Sequence, residues 1–511
     1  MLSKVFSGSV MGIDAFLVEV ETDISPGLPS YILVGLPDNA VRESRERVSS
    51  AISNIGYTFP LKRVTINLAP ADIKKEGAAF DLPIAIGLLA ASGQLSSERL
   101  SDFLILGELS LDGNLKPIRG ALPIAASCSK LGIKSMLLPR ANATEAAVVE
   151  DLEVIGADTL AEAARFLSGE KEIPPTKVDP LTLFDSGSCY GVDYSDVKGQ
   201  EHAKRAIEVA AAGGHNLLLI GPPGSGKTML ARRLVTILPR ITLEEAIETT
   251  RIHSVAGLTG ESQSLVATRP FRHPHHTISD AGLIGGGRIP KPGEVSLAHN
   301  GVLFLDEMPE FHKNVLEVMR QPMEDGDVSI SRSLISISYP ARFMLACAMN
   351  PCPCGYQTDP NHSCHCTPTQ IKRYMSNISG PLLDRIDIHV EVPAVPFEQL
   401  ADKRCGEGSE TIRERVESGR SIQLERFKHQ EGAYCNAHMT RSVLREVCAL
   451  NAETEALLSQ AMFHFGLSAR AHDRILKVAR TIADLAGSTD IAPEHLAEAI
   501  QYRSLDRTAM R

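Results

Sequence analysis

The sequence predicts a multi-domain α/β protein. A mixed α+β domain occupies residues 1–170, a linker 171–190, a central α/β domain 191–395 and an all-helical segment 396–511. Three observations carry that prediction. At 511 residues the chain is too long for one hydrophobic core. A short apolar strand, a glycine-rich loop and a helix follow one another across residues 216–238. Beyond residue 396, apolar residues recur at helical spacing with few strand-like runs.

Composition narrows the function. Apolar residues make up 43% and charged residues 22% of the chain, ordinary for a globular protein. The net charge of −10 argues against general coating of polyanions, so any nucleic-acid contact must come from a local basic surface. No apolar run approaches the roughly 18 residues that span a bilayer. Gly8, Ser9, Gly12 and Asp14 interrupt the N-terminus where a secretory leader would be continuously apolar. The expectation is a cytoplasmic protein without a membrane partner. Ten cysteines in a chain this long are not a disulfide scaffold, but four crowd into residues 352–366.

In the first 170 residues, Val5 to Glu21 and Tyr31 to Gly35 read as strands. Asp38 to Ile55 reads as an amphipathic helix with Val41, Val48, Ala51, Ile52 and Ile55 on one face. Val64 to Leu68 is a strand, Phe80 to Ala91 a buried helix and Leu104 to Leu109 a strand. Ala121 to Leu131 is a helix and Met136 to Leu138 a strand. The expected arrangement is an α+β domain with helices on one side of a sheet. The stretch from Lys75 to Gly87 and the stretch from Gly107 to Gly120 resemble the protease domain of Lon and its ribosomal-S5-like relatives. That family places a serine where this chain has Ala79, and a lysine near Leu122. Without a hydroxyl nucleophile and an amine base the Ser–Lys mechanism cannot run, so a non-proteolytic module is expected.

Ser168 to Lys177 mixes charge with Pro174 and Pro175 and lacks an apolar period, which marks the linker. The central domain turns on Asn216 to Thr228. Leu217 to Ile220 read as a buried strand. Gly221, Pro222, Pro223, Gly224, Ser225, Gly226, Lys227 and Thr228 match the phosphate-binding loop, and Met229 to Leu238 a helix. The glycines let backbone N–H groups turn toward phosphate oxygens, and the helix N-terminus adds partial positive charge. In such a loop Lys227 reaches the β- and γ-phosphates of ATP and the Thr228 hydroxyl ligates Mg²⁺.

Val302 to Leu305 form a second apolar run ending in two carboxylates. Asp306 suits Mg²⁺, held through water, and Glu307 suits polarisation of the attacking water. A third strand, Phe343 to Met349, ends at Asn350, a polar group that could position that water or simply begin a turn before Pro351. Arg385 in Asp384-Arg385-Ile386-Asp387 suits a finger offered to a neighbouring subunit, or a surface ion pair.

Two insertions carry cations. Gly282 to Gly293 is glycine-rich with Arg288 and Lys291. Val328 to Ser338 alternates apolar and polar residues about Arg332 and Ser333, a hairpin with a cation near its tip. Cations at loop tips lining a ring pore would meet a phosphate backbone; solvated turns are the plainer alternative. His273, His275 and His276 cluster without supporting carboxylates, weak grounds for a metal. Cys352, Cys354, Cys364 and Cys366 form two close pairs able to enclose Zn²⁺ tetrahedrally, with reduced free thiols as the alternative. His362 and His365 are substitute ligands.

In the helical segment, Glu410 to Arg426, Thr440 to Cys448, Glu453 to Gly466, Ala469 to Ala486 and Pro493 to Tyr502 read as helices. Arg470 begins one of them. It suits a sensor swinging over the nucleotide, or an exposed helix arginine.

The whole pattern resembles the bacterial YifB/ComM family, magnesium-chelatase-like AAA+ ATPases. The motifs are Gly221–Thr228, Phe271–His276, Phe304–Phe311, Asn350–Gly355, Ser379–Arg385 and Ala479–Leu485. The resemblance implies an N-terminal Lon-protease-like domain without its catalytic pair, a central AAA+ phosphate-loop domain and a C-terminal α-helical lid. It implies a homo-hexameric ring driven by ATP, with Asn350 as sensor 1, Arg385 as arginine finger and Arg470 as sensor 2. It further implies hairpins facing DNA and a helicase or branch-migration role in recombination or transformation. A chelatase-type or protein-remodelling ATPase subunit is the alternative. Unfoldases grip peptides with a pore-loop aromatic; Leu283 to Gly287 has none, which favours a polyanion.

Overall fold

The computed structural model describes residues 2–128, 130–179, 190–259, 265–287, 290–331, 336–359, 362–396, 399, 406–430 and 433–503. The N-terminal third is built on a seven-stranded mixed sheet. Its strands run, edge to edge, Ser30–Val34, Arg63–Ala69, Asp14–Ser25, Leu2–Met11, Phe103–Ile105, Ser135–Pro139 and Glu153–Ala157. The apolar run from Val5 to Glu21 is not one strand but an antiparallel hairpin. It turns at Gly12, whose φ of 71° only glycine adopts without strain.

Helices cover both faces of this sheet, not one. Successive strand residues point to opposite sides. Ile105, Leu137 and Ile155 join a core with helices Ser44–Asn54, Asp81–Ala91 and Leu160–Leu167. Their neighbours Leu104, Met136 and Val154 join a second core with helices Ala121–Cys128 and Arg140–Ala146. Phe103–Ile105 and Met136–Leu138 are apolar at consecutive positions, so periodicity alone could not show that both sides are buried there.

The central sheet has five parallel strands in the order Phe271–Arg272, Val302–Leu305, Met344–Met349, Leu217–Ile220 and Ile388–Glu391. Both of its faces are buried. Leu217, Leu219, Phe304 and Ala346 face one core, and Leu218, Leu303, Leu305 and Leu345 the other. Parallel order puts all C-terminal strand ends on one edge, where a ligand crevice forms in open α/β sheets. Helix Leu243–Ala256, which the sequence reading did not identify, starts at a Thr242–Glu245 capping box. It touches the N-terminal third. Gly120 N–H donates to Ser254 O at 3.3 Å, and Arg251 pairs with Asp14 at 3.0 Å.

The C-terminal helices are Ser409–Phe427, Arg441–Val447, Ala452–Phe465, Ala469–Leu485 and Pro493–Gln501. A buried polar knot holds them. Asp484 accepts from Arg426 at 2.9 Å, Arg480 at 3.0 Å and Asn436 at 2.8 Å. Arg480 is 2% exposed, so Asp484→Ala would strand a buried cation. The expected loss is about 3–5 kcal/mol in a denaturant titration; a change within experimental error would remove this knot as a stabilising element. No helix among the described residues is long and apolar enough to cross a membrane.

Candidate nucleotide-binding site

The phosphate loop leaves the C-terminal end of strand Leu217–Ile220 and enters helix Lys227–Ile237. Gly224 and Gly226 have φ of 76° and 89°, which turns the backbone back on itself. A Cβ on Gly221 would sit 2.1 Å from Val392 O, so the loop's first position tolerates no side chain. The Lys227 ammonium donates to Gly221 O and Pro222 O at 2.8 Å each and to Asn350 Oδ1 at 3.2 Å. Burial lowers its pKa, against the Asp306 and Glu307 carboxylates. A phosphate entering here would replace the loop carbonyls as acceptor. Ser225 Oγ is buried and has no hydrogen-bond partner among the described residues. An orphaned hydroxyl in a glycine-rich loop just ahead of a helix N-terminus fits an anion.

Strand order brings the remaining groups together. Ile220 pairs with Met349, which sets Asn350 beside Gly221. Leu305 pairs with Cys347, which sets Asp306 on the next strand over. The Thr228 hydroxyl donates to Asp306 Oδ2 at 2.7 Å. Two oxygens this close at a loop for anionic phosphates form a donor set suited to Mg²⁺. Glu307 follows in a left-handed conformation, φ 52°, unusual for a non-glycine residue and common at sites of function. Its half-exposed carboxylate points toward the same edge.

Two contacts of the site were not read from the sequence: the place of His276, which was weighed only as a metal ligand, and Gln200. His276 Nδ1 lies 3.6 Å from Glu307 Oε2. The histidine run continues strand Phe271–Arg272, which pairs with Val302–Leu305, so its nearness to the carboxylates follows from sheet order. Gln200, at φ 58°, donates from Nε2 to Ser225 O at 2.5 Å and to Pro393 O at 3.2 Å, propping the loop from behind. A polar residue ahead of a helix was the only signal for it. His273, His275 and His276 do not assemble as metal ligands: among the described residues the four cysteines form the sole such grouping.

Arg385 and Arg470 lie elsewhere. Arg385 precedes strand Ile388–Glu391, whose first residue pairs with Leu217, and the Asp387 N–H donates to Asn216 O at 3.0 Å. It therefore sits at the N-terminal edge of the sheet. The strand Leu217–Ile220, about 13 Å at ~3.3 Å per residue, separates that edge from the phosphate loop. Arg470 lines the same cleft of ≈ 210 Å³ as Arg385, with Arg441, Arg474 and Lys477. The structure thus groups Arg470 with Arg385, not over its own chain's phosphate loop. Arg385 is 7% exposed and bonds Glu324, and it also donates to Pro381 O at 2.6 Å. Arg474 bonds Asp387. Burial raises the Asp387 pKa, but the Arg474 guanidinium and a hydrogen bond with His215 outweigh it and hold the carboxyl well below its ordinary range. Arg470 is exposed and has no ion-pair partner among the described residues.

The two insertions are hairpins. Gly285–Gly286 pairs with Lys291–Pro292, and Asp327–Ser331 with Ser336–Pro340. They pack together, the Tyr339 hydroxyl donating to Pro290 O at 2.9 Å. Lys291 is exposed, whereas Arg288 and Arg332 lie outside the described residues.

The Cys352, Cys354, Cys364 and Cys366 sulfurs lie within 4.8 Å of one another. Individual separations are 3.4, 3.6 and 3.7 Å. A tetrahedron of ~2.3 Å Zn–S bonds has sulfurs about 3.8 Å apart, so the set fits Zn²⁺. His362 instead pairs with Asp359 at 2.9 Å, and His365 lies beside Ser363.

The family described as magnesium chelatase, subunit ChlI, matches residues 193–400, with further ChlI matches at 20–142 and, for its C-terminal part, 406–503. The competence protein ComM of Haemophilus influenzae is 45% identical over 512 aligned residues, 99% of this chain and 98% of that one. The YifB protein of Escherichia coli is 46% identical over 509 residues, again 99% and 98% of the two chains. Lon protease 2 of Bacillus subtilis is 29% identical over 149 residues, 28% of this chain and 27% of its own. With full-length identity at this level and a parallel-sheet core carrying the phosphate loop, the chain belongs to the YifB/ComM family of magnesium-chelatase-like AAA+ ATPases.

Proposed function

We propose that the protein is an ATP-driven homo-hexameric motor acting on single-stranded or branched DNA, a helicase or branch-migration enzyme serving recombination or natural transformation. The observation that carries the motor part is the split of its catalytic groups. Lys227, Thr228, Asp306, Glu307 and Asn350 gather at one edge of the sheet, and Arg385 and Arg470 at the other. A chain so divided completes its reaction only when a neighbour's cleft faces its phosphate loop, which a closed ring achieves at every junction. Within the site, Mg²⁺ supplies charge neutralisation on the β- and γ-phosphates. Thr228 and, through water, Asp306 would hold it, Lys227 would bind the terminal phosphate, Glu307 would take the proton of the attacking water and Asn350 would orient that water. Arg385 and Arg470 of the adjacent subunit stabilise transition-state charge.

DNA as substrate is supported by the paired hairpins, whose sequence places Arg288, Lys291 and Arg332 at or near their tips, and by the name of the Haemophilus relative. Zn²⁺ in the cysteine set closes its loop. The first 170 residues read as a Lon-like domain with no proteolytic step. Ala79 is half-buried against Leu104 and its neighbours, and Leu122 is fully buried. Residues 396–511 read as the lid.

The test is steady-state ATPase with no DNA and with single-stranded, duplex and four-way-junction DNA at two salt concentrations. Stimulation by single strand or junction that falls steeply with salt is the expected result. Charge reversal of Lys291 and Arg332 together should abolish the stimulation and leave unstimulated turnover in place. A rate indifferent to every DNA would replace the DNA reading with protein remodelling or a chelatase-type role.

A further inference from the structure

The cysteine cluster touches the nucleotide site at three places. Its segment starts at Asn350, which accepts from Lys227. Cys352, two residues on, is fully buried. Gly355 then lies against the phosphate loop so tightly that a Cβ there would stand 2.5 Å from Pro223 Cδ and 2.6 Å from Cγ. Its φ of 87° is itself a glycine conformation. After Cys366 the chain enters helix Pro368–Met375 through a Thr367–Gln370 capping box. The helix returns Tyr374 to the Asn350 backbone, and Asn377 Nδ2 donates to Pro309 O at 2.9 Å, in the turn just after Glu307. The segment 350–377 is thus a strap from sensor to phosphate loop to the carboxylate turn, closed on itself by four sulfurs.

What closes it decides its stiffness. Four thiolates this close repel one another unless a cation sits between them, and as neutral thiols they make only weak hydrogen bonds and hold the loop loosely. Backbone N–H groups already turn to the sulfurs, Cys354 N–H to Cys366 Sγ at 3.4 Å and Cys366 N–H to Cys364 Sγ at 3.5 Å, as they do around a bound metal. Without the metal, a fifteen-residue loop regains its closure entropy and Gly355 has no reason to stay on Pro223.

We propose that Zn²⁺ bound by Cys352, Cys354, Cys364 and Cys366 braces the phosphate loop through the Gly355–Pro223 contact, so that ATP affinity is set by metal occupancy. This rests on the nucleotide-site and zinc readings above and adds their coupling. The brace acts on binding and does not enter the chemical step.

The experiment uses the full-length protein, with zinc measured by atomic emission and ATP binding by a fluorescent ATP analogue. As purified, one zinc per chain is expected. Removing it with a thiol-displacing reagent and chelator should raise the Kd for nucleotide roughly tenfold, and zinc re-addition after reduction should restore it. Unchanged affinity in the zinc-free protein overturns the coupling while leaving the zinc reading intact. A protein that holds no zinc overturns both. Failure of Lys227→Ala to lose nucleotide would instead overturn the nucleotide-site reading. Gly355→Ala separates the brace from general folding. It retains one zinc per chain yet weakens ATP binding, and Pro223→Ala in the same chain, by removing Cγ and Cδ, recovers part of the loss. A Gly355→Ala protein with normal ATP affinity overturns the contact.

Discussion

Glu307→Gln protein should bind ATP as tightly as the parent and turn it over about 100- to 10,000-fold more slowly, the range by which a positioned general base accelerates proton transfer. Glutamine preserves the size of the side chain and can still meet His276. It leaves untouched Lys227, Thr228 and Asp306, to which the proposed mechanism assigns the binding. The left-handed backbone at Glu307 belongs to the turn after the strand and is tolerated about as well by glutamine. A fluorescent ATP analogue measures the affinity, and single-turnover phosphate release measures the step. Turnover at the parental rate would remove Glu307 as the base and leave its left-handed geometry a structural feature of the turn.

The second large effect is expected from mixing inactive proteins. Arg385→Ala alone should lose roughly 1,000-fold or more of its turnover, as arginine fingers do, and Lys227→Ala alone should not bind ATP. In a ring containing both, a Lys227-intact chain whose neighbour keeps Arg385 forms a complete junction. The mixture should regain a substantial fraction of activity at equal ratio, and Arg470→Ala should behave as Arg385→Ala does. Because both arginines line one cleft at the sheet edge away from the phosphate loop, complementation is required of both. An inactive mixture from subunits shown to exchange would place the arginines in their own chain's chemistry. Recovery also answers the concern that losing the buried Arg385–Glu324 bond merely unfolds the variant, since an unfolded chain cannot complement.

The parts of the site legible from sequence are those whose chemistry is made by consecutive residues. A loop that wraps phosphate needs glycines at fixed offsets with a lysine and a threonine next, and Gly221 to Thr228 display all of them. A strand that delivers carboxylates to a metal must end in them, and Val302 to Glu307 does. The cysteine pairs are readable because zinc loops are short. The strands and helices around these motifs were legible for the same local reason, except where an all-apolar run hid which sheet face it served or, as at Gly12, a turn between two strands.

By itself, then, the sequence determined the phosphate-loop motif, the family and the residues that bear charge. Tertiary structure decided who stands beside whom. Arg385 and Arg470 are 85 positions apart yet share a cleft, because strand Ile388–Glu391 runs parallel to the phosphate-loop strand and the helix of Arg470 packs at its start. His276 meets Glu307 and Gly355 meets Pro223 only because sheet order makes those loops neighbours. Local motifs depend on backbone geometry over a few bonds, which residue types dictate directly. Neighbourhood across strands depends on which faces bury together, and many sequences with the same local pattern would satisfy that in different orders.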